Sequence, residues 1–214
     1  MRTKTLLLTA ALAIGAATSS MAQVYSQNVV GYVNVVVTNG QFLCVANPLN
    51  NGTNTLNEIL PGAPANTTLV FEYTPTGFVS YTKRATWPAT ADGRAFGPGK
   101  GFFVQNTATT PTTLTFVGEV NEGTKTVAIS SGFNLISSAF PLSGPAETGL
   151  GLPAITNNKL HQWVAAVQNY VTYTRRATGW TGGAGEPTVA VGEGFFFEAQ
   201  AATSWTKTYT VPRP

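Results

Sequence analysis

The chain is poor in the residues that most often carry chemistry. Its 214 residues include one cysteine, Cys44, one histidine, His161, and one aspartate, Asp92. A lone cysteine excludes an intrachain disulfide, and Cys44 reads as a small hydrophobe on a buried strand. Structural zinc wants several Cys or His ligands, and calcium loops want clustered acids; neither pattern occurs, and Glu119 with Glu122 is only a pair on a connection. A nucleophile–His arrangement would have to use His161, which sits on a strand in "KLHQW", and no GxSxG turn is present to expose a serine. Glu72, Glu193 and Glu198, on strands or turns, leave paired-carboxylate hydrolysis formally open. The expectation is therefore no enzyme, no metal and no cofactor.

Charge is scarce as well. Only 10% of residues are Asp, Glu, Lys or Arg. Arg2 and Lys4, the apolar run Leu6 to Ala17 and Ser20-Met21-Ala22 read as a signal peptide over 1–22, with Gln23 as mature N-terminus. Removing those 22 residues from 214 leaves 192, and the basic count falls from 12 to 10 against 9 acids. That balance excludes the basic excess nucleic-acid binding wants. Nothing after the signal is apolar over the roughly 20 residues a membrane helix needs. The expected location is secreted: extracellular or cell surface, with the periplasm open.

What the chain has is a doubled phrase. "YTKRATW" at Tyr81 returns as "YTRRATGW" at Tyr173, "GKGFFV" at Gly99 as "GEGFFF" at Gly192, and "GQFLCVANPL" at Gly40 as "GFNLISSAFPL" at Gly132. The order is kept at a spacing of about 92 residues, the mark of an internal repeat. In this alignment Cys44 faces Ile136, Lys100 faces Glu193 and Gln105 faces Glu198. Long helical periods are absent. Short β-branched and aromatic runs alternate with turn residues every 8–12 positions, so the fold reads as all-β. The expectation is two tandem pseudo-repeats of about 90 residues, 23–120 and 126–214, each a small sandwich or open barrel, joined by 121–125. Asn39-Gly40 predicts a tight hairpin between the first two strands, and Thr74-Pro75-Thr76-Gly77 a second hairpin. Thr53 to Leu60 carries one short helix, ended by Pro61.

Two features are candidates for function. On a strand Tyr81 and Lys83 face one way and Arg84 the other. With Trp87 they recur as Tyr173, Arg175, Arg176 and Trp180. As a surface these residues would offer aromatic plates and cations to a polysaccharide; as structure, their stems and rings would cover core edges. The second candidate is the N-terminal run holding Val24, Val29, Val30, Tyr32, Val33, Val35 and Val37, a strand that either pairs inside its own chain or adds to the edge of another subunit.

The combination "YSQNVVGYVNV", "ANPLNNGTNTLNEILPGAP", "GPGKGFFVQN", "TFVGEV", "GFNLISSAFPL" and "VAVGEGFFF" resembles a large family of secreted β-rich proteins of environmental bacteria, across essentially the whole mature chain. The resemblance implies export and a duplicated β fold, and brings no activity or site residues. Many such proteins carry a C-terminal sorting tail; "YTVPRP" lacks one, so anchoring is not expected. The expected role is a non-enzymatic structural or assembly protein of the cell surface or matrix, partnered by itself or other surface proteins. A carbohydrate-binding module or adhesin is the alternative.

Overall fold

The computed structural model describes residues 29–153 and 155–212. Val24 and the signal segment lie outside the described residues. The first half contains β1 (Val30–Val37), β2 (Phe42–Ala46), β3 (Leu49–Asn50), α1 (Leu56–Ile59), β4 (Thr68–Thr74), β5 (Gly77–Thr82), β6 (Gly101–Asn106) and β7 (Thr112–Val120). The second contains β8 (Gly123–Ile129), β9 (Gly132–Ile136), β10 (Gly144–Pro145), β11 (Lys159–Val164), β12 (Asn169–Arg176), β13 (Gly179–Thr181), β14 (Thr188–Val189), β15 (Phe195–Ala199) and β16 (Thr203–Tyr209). The protein is all-β, and no described helix is long and apolar enough to cross a membrane. The connection between halves is shorter than 121–125, because β7 ends at Val120 and β8 begins at Gly123.

Each half packs one sheet against another. In the first, sheet β1-β7-β3 faces sheet β2-β6-β4-β5; in the second, β8-β16 faces β9-β15-β11-β12-β13. Alternation decides which side chains meet. Val33, Val35 and Val37 of β1 pack on the same core as Leu114 and Phe116 of β7, Val45 of β2 and Phe102 of β6. Phe195, Phe197, Leu160 and Trp205 centre the second core. α1 is a single turn, with Glu58 Oε2 accepting from the Thr55 N–H at 3.3 Å, a partner for one of the N–H groups a helix start leaves free.

The structure corrects one expectation about the N-terminal strand and decides another. The turn at Asn39-Gly40 does not make a hairpin: β1 pairs with β7 and β2 pairs with β6. Only Gly40 adopts positive φ, at 71°, whereas a type I′ turn needs it at both central residues. The chain crosses from one sheet to the other because both strands have apolar faces to bury in the same core. Nor is Val30–Val37 a free strand. All eight residues have partners on β7 of their own chain, from Val30 opposite Glu119 to Val37 opposite Thr112.

The two halves meet along a seam with matched contacts. Val45 bridges Glu193, and Ile136 bridges Lys100. The Ala46 N–H donates to the Gly192 carbonyl at 2.8 Å, and the Ser137 N–H to the Gly99 carbonyl at 3.1 Å. Register matches Val45 with Ile136, opposite Phe102 and Phe195. Cys44 therefore takes the same place as Leu135, opposite Phe103 and Phe196, rather than that of Ile136. Both lie in one buried cluster at the seam.

Candidate functional site

The repeated basic-aromatic segments do not form an aromatic surface. Tyr81 and Trp87 are only 3% and 2% exposed, and Lys83 is buried too. Neither ring face is open to a sugar. The Tyr81 hydroxyl donates to Glu72 Oε2 at 2.8 Å, and the Trp87 indole N–H to the Leu60 carbonyl at 3.0 Å. The Lys83 ammonium sits 5.7 Å from the Trp87 ring centre. Tyr173 and Trp180 are half-buried and pack against the second core. Arg175 grips Glu147 with two nitrogens, at 2.7 and 3.1 Å, and the Trp180 indole donates to Glu147 Oε2 at 2.8 Å. Hydrogen bonds from Arg175 hold the Glu147 carboxyl below its usual range. Arg84 and Arg176 alone point outward, and each donates to a turn asparagine, Asn66 or Asn157. The segments brace loops against strands.

The other acids are also engaged. Glu72, buried on β4, accepts from Arg94 at 2.8 and 2.9 Å, from Lys100 at 2.5 Å and from Tyr81. Burial opposes ionisation of Glu72, but these donors outweigh it and hold the carboxyl below its usual range. In the second half the charges are rearranged: Gln162 stands at the Glu72 place and donates to Glu193 Oε1 at 2.8 Å. Burial pushes the Glu193 carboxyl up, against the Ala190 N–H and Gln162. Glu198 accepts from Lys159 at 2.9 Å and lies 3.4 Å from His161 Nε2. Burial lowers the His161 pKa despite that carboxylate, and His161 Nδ1 lies 2.8 Å from Thr172 Oγ1. Among the described residues no three His, Cys, Asp or Glu side chains cluster as metal ligands do.

What the structure does assemble is an aromatic band along the seam, on the sheet faces turned away from the two cores. A cleft of about 400 Å³ is lined entirely by aromatic side chains: Phe42, Phe71, Phe78 and Phe103 from the first half, Trp163 and Tyr170 from the second. Trp163 packs edge-on to Phe103 and Tyr170, with ring centres 5.4 and 4.9 Å apart. Cys44 lies beneath, its thiol pushed up by burial and by Glu193. The Tyr170 hydroxyl is pushed up to about 12, by burial first and then by Cys44. The cleft lining is thus an apolar surface.

One wall of the cleft is clamped. The Phe42 N–H donates to Gln168 Oε1 at 2.9 Å, and the Phe42 carbonyl accepts from Gln168 Nε2 at 3.0 Å and from the Trp163 indole at 2.9 Å. A side-chain carboxamide thus stands in for a neighbouring strand on the free edge of β2. A second groove of about 410 Å³ opens at the other end of the seam, between Tyr73-Thr74-Pro75 and Ser130, Ser131 and Phe133.

None of the cleft residues is a site candidate in the sequence, where Phe103 reads as core. A signal existed: "GFFV" carries aromatics on both faces of a strand, Phe102 inward and Phe103 outward, as expected of a strand covered on two sides. No protein-family model, curated protein or solved structure matches the chain.

Proposed function

We propose that this chain is a non-enzymatic, secreted assembly protein whose copies associate through exposed apolar sheet surface. One observation carries the reading. The outer face of the β1–β7 sheet shows Val30, Tyr32, Val36 and Val117 to solvent, with Tyr32 72% exposed and set opposite Val117. The corresponding outer face of β8–β16 carries threonines instead. Thr124 is bonded to Thr208 at 2.7 Å and Thr126 to Thr206 at 2.9 Å. The outer face of β8–β16 is thus covered by threonines, whereas on β1–β7 only the Asn34–Thr115 pair and its polar neighbours Thr113 and Glu119 interrupt exposed apolar side chains. Clustered exposed apolar side chains of this kind mark interaction surfaces. Export fits the signal-like N-terminus and the scarcity of charge. The carbohydrate alternative loses its support, because the rings it needs are buried or packed.

The test is sedimentation and electron microscopy of the mature chain with and without Tyr32→Glu plus Val117→Glu. Both sites are exposed, so the variant is expected to keep its melting temperature within a few degrees. Polymers are expected from the parent and at least about tenfold fewer from the variant, since one buried aromatic contact alone is worth that factor. A parent that stays monomeric at high concentration would sink the reading.

A further inference from the structure

The two ends of the seam differ in one respect that identifies a binding site. On an antiparallel edge strand, every second residue turns its N–H and C=O away from the sheet. On β2 those residues are Phe42, Cys44 and Ala46: Phe42 is capped by Gln168, Cys44 accepts from the Gly194 N–H, and Ala46 donates to Gly192. On β9 the Ser137 N–H points outward to Gly99, and the unbroken register with β15 carries that alternation back to Leu135 and Phe133. Phe133 holds the place of Phe42, opposite Glu198 where Phe42 is opposite Gln105.

Nothing among the described residues plays Gln168's part at Phe133. The turn that would supply it is Thr74–Gly77, and this turn is closed on itself, with Thr74 Oγ1 donating to the Gly77 carbonyl at 2.7 Å. The outward N–H and C=O of Phe133 therefore open onto the groove walled by Tyr73, Thr74, Pro75, Ser130 and Ser131. A free strand edge in a groove is a template for strand addition. Its capped counterpart in the same molecule shows what chemistry satisfies it: an amide that donates and accepts at once.

We propose that this groove receives residues Gln23–Asn28 of a second copy, added as a strand along β9. The inference rests on the assembly reading and on cleavage after Ala22, which leaves six residues ahead of Val29. Gln23, Gln27 and Asn28 bring carboxamides, and Val24 and Tyr25 bring apolar side chains for the groove's aromatic wall of Tyr73 and Phe133, the latter 52% exposed. The lengths favour another copy as donor. Val29 accepts from the Val120 N–H and so lies near the Gly123 end of β8, whereas the groove lies at Ser130–Ser131, past its other end. Seven strand residues separate them by about 23 Å, and six extended residues reach at most about 21 Å. Donor and acceptor surfaces differ, so each addition leaves a new groove free and the contact propagates head to tail. The apolar β1–β7 face, at the root of the donated segment, would then be carried toward the exposed aromatics of the next copy.

The experiment uses two proteins, the mature chain and a chain beginning at Val29, with the synthetic peptide Gln-Val-Tyr-Ser-Gln-Asn. The mature chain is expected to polymerise; the shorter chain is expected to be a folded monomer that binds the peptide by calorimetry. Two methylated peptides test the mode, one N-methylated at Val24 and Ser26, the other at Tyr25 and Gln27. Strand addition uses alternate amides, so one set is expected to weaken binding by about tenfold or more and the other by no more than about twofold. Equal losses from the two sets, no peptide binding, or polymers persisting in the shorter chain each overturn this inference and leave assembly standing. A mature chain that never polymerises overturns both.

Discussion

Glu72→Ala is expected to lower stability by about 3 kcal/mol at neutral pH, the scale for removing one partner of a buried ion pair, toward its lower end because water can reach the cations. The carboxylate is buried and accepts four hydrogen bonds, while Arg94 and Lys100 are 46% and 34% exposed. Its loss strands the Tyr81 hydroxyl in the first core. Because the folded carboxyl titrates below its usual range, the stability it provides is complete above the ordinary value of about 4.5. It fades as pH falls through the folded value. The gap between parent and variant in urea unfolding is thus expected to be widest at pH 7 and to narrow below about pH 4.5. A gap that persists unchanged in acid would contradict the account. The second half supplies a design for rescue, since Gln162 and Glu193 occupy the places of Glu72 and Lys100. Glu72→Gln with Lys100→Glu should recover part of the loss.

Gly194→Ala is the second large effect, because here two backbones touch. A Cβ at Gly194 would lie 2.7 Å from the Val45 carbonyl oxygen, 3.1 Å from Cys44 Sγ and 3.1 Å from the Gly101 Cα. A Cβ at Gly101 would meet the Ile136 carbonyl oxygen at 3.0 Å. Apart from Cys44 Sγ these are backbone atoms, which cannot yield without parting the seam. The expected cost is about 2–3 kcal/mol, the upper range for overpacking. The near-ultraviolet signal of the aromatic band should fall as well, since Trp163 packs on Phe103 across the same seam. Gly62→Ala is the control: a Cβ there meets nothing within 4 Å, and its effect should stay within about 0.5 kcal/mol. Equal losses at both glycines would show that the seam contact is unimportant.

This contact explains half of the motif that made the doubling visible. In "GKGFF" and "GEGFF" the first glycine has φ of 95° and 77° and serves a turn. The second is small because the halves press together, which a single chain read in isolation does not disclose. Strand content and hairpins such as β4–β5 were legible, since alternation and turn residues are local signals. The partner of β1 was not, because Asn39-Gly40 suits a hairpin and only burial of Val33, Val35 and Val37 decides otherwise. The Tyr, Lys/Arg and Trp segments looked like a site because their side chains are versatile; the partners that occupy them, Glu72, Leu60 and Glu147, lie 9 to 33 residues away. Gln168 gave no signal at all. Its role depends on a strand edge 126 residues distant.

Each half is closed by its first and last strands. β1 waits for β7, and β8 waits for β16, the last described strand. For a chain threaded through a membrane from its N-terminus, neither sheet can be completed until nearly all of that half has emerged. The long loops to be closed make folding slow. On the export proposed above, each half would close only once its last strand is free.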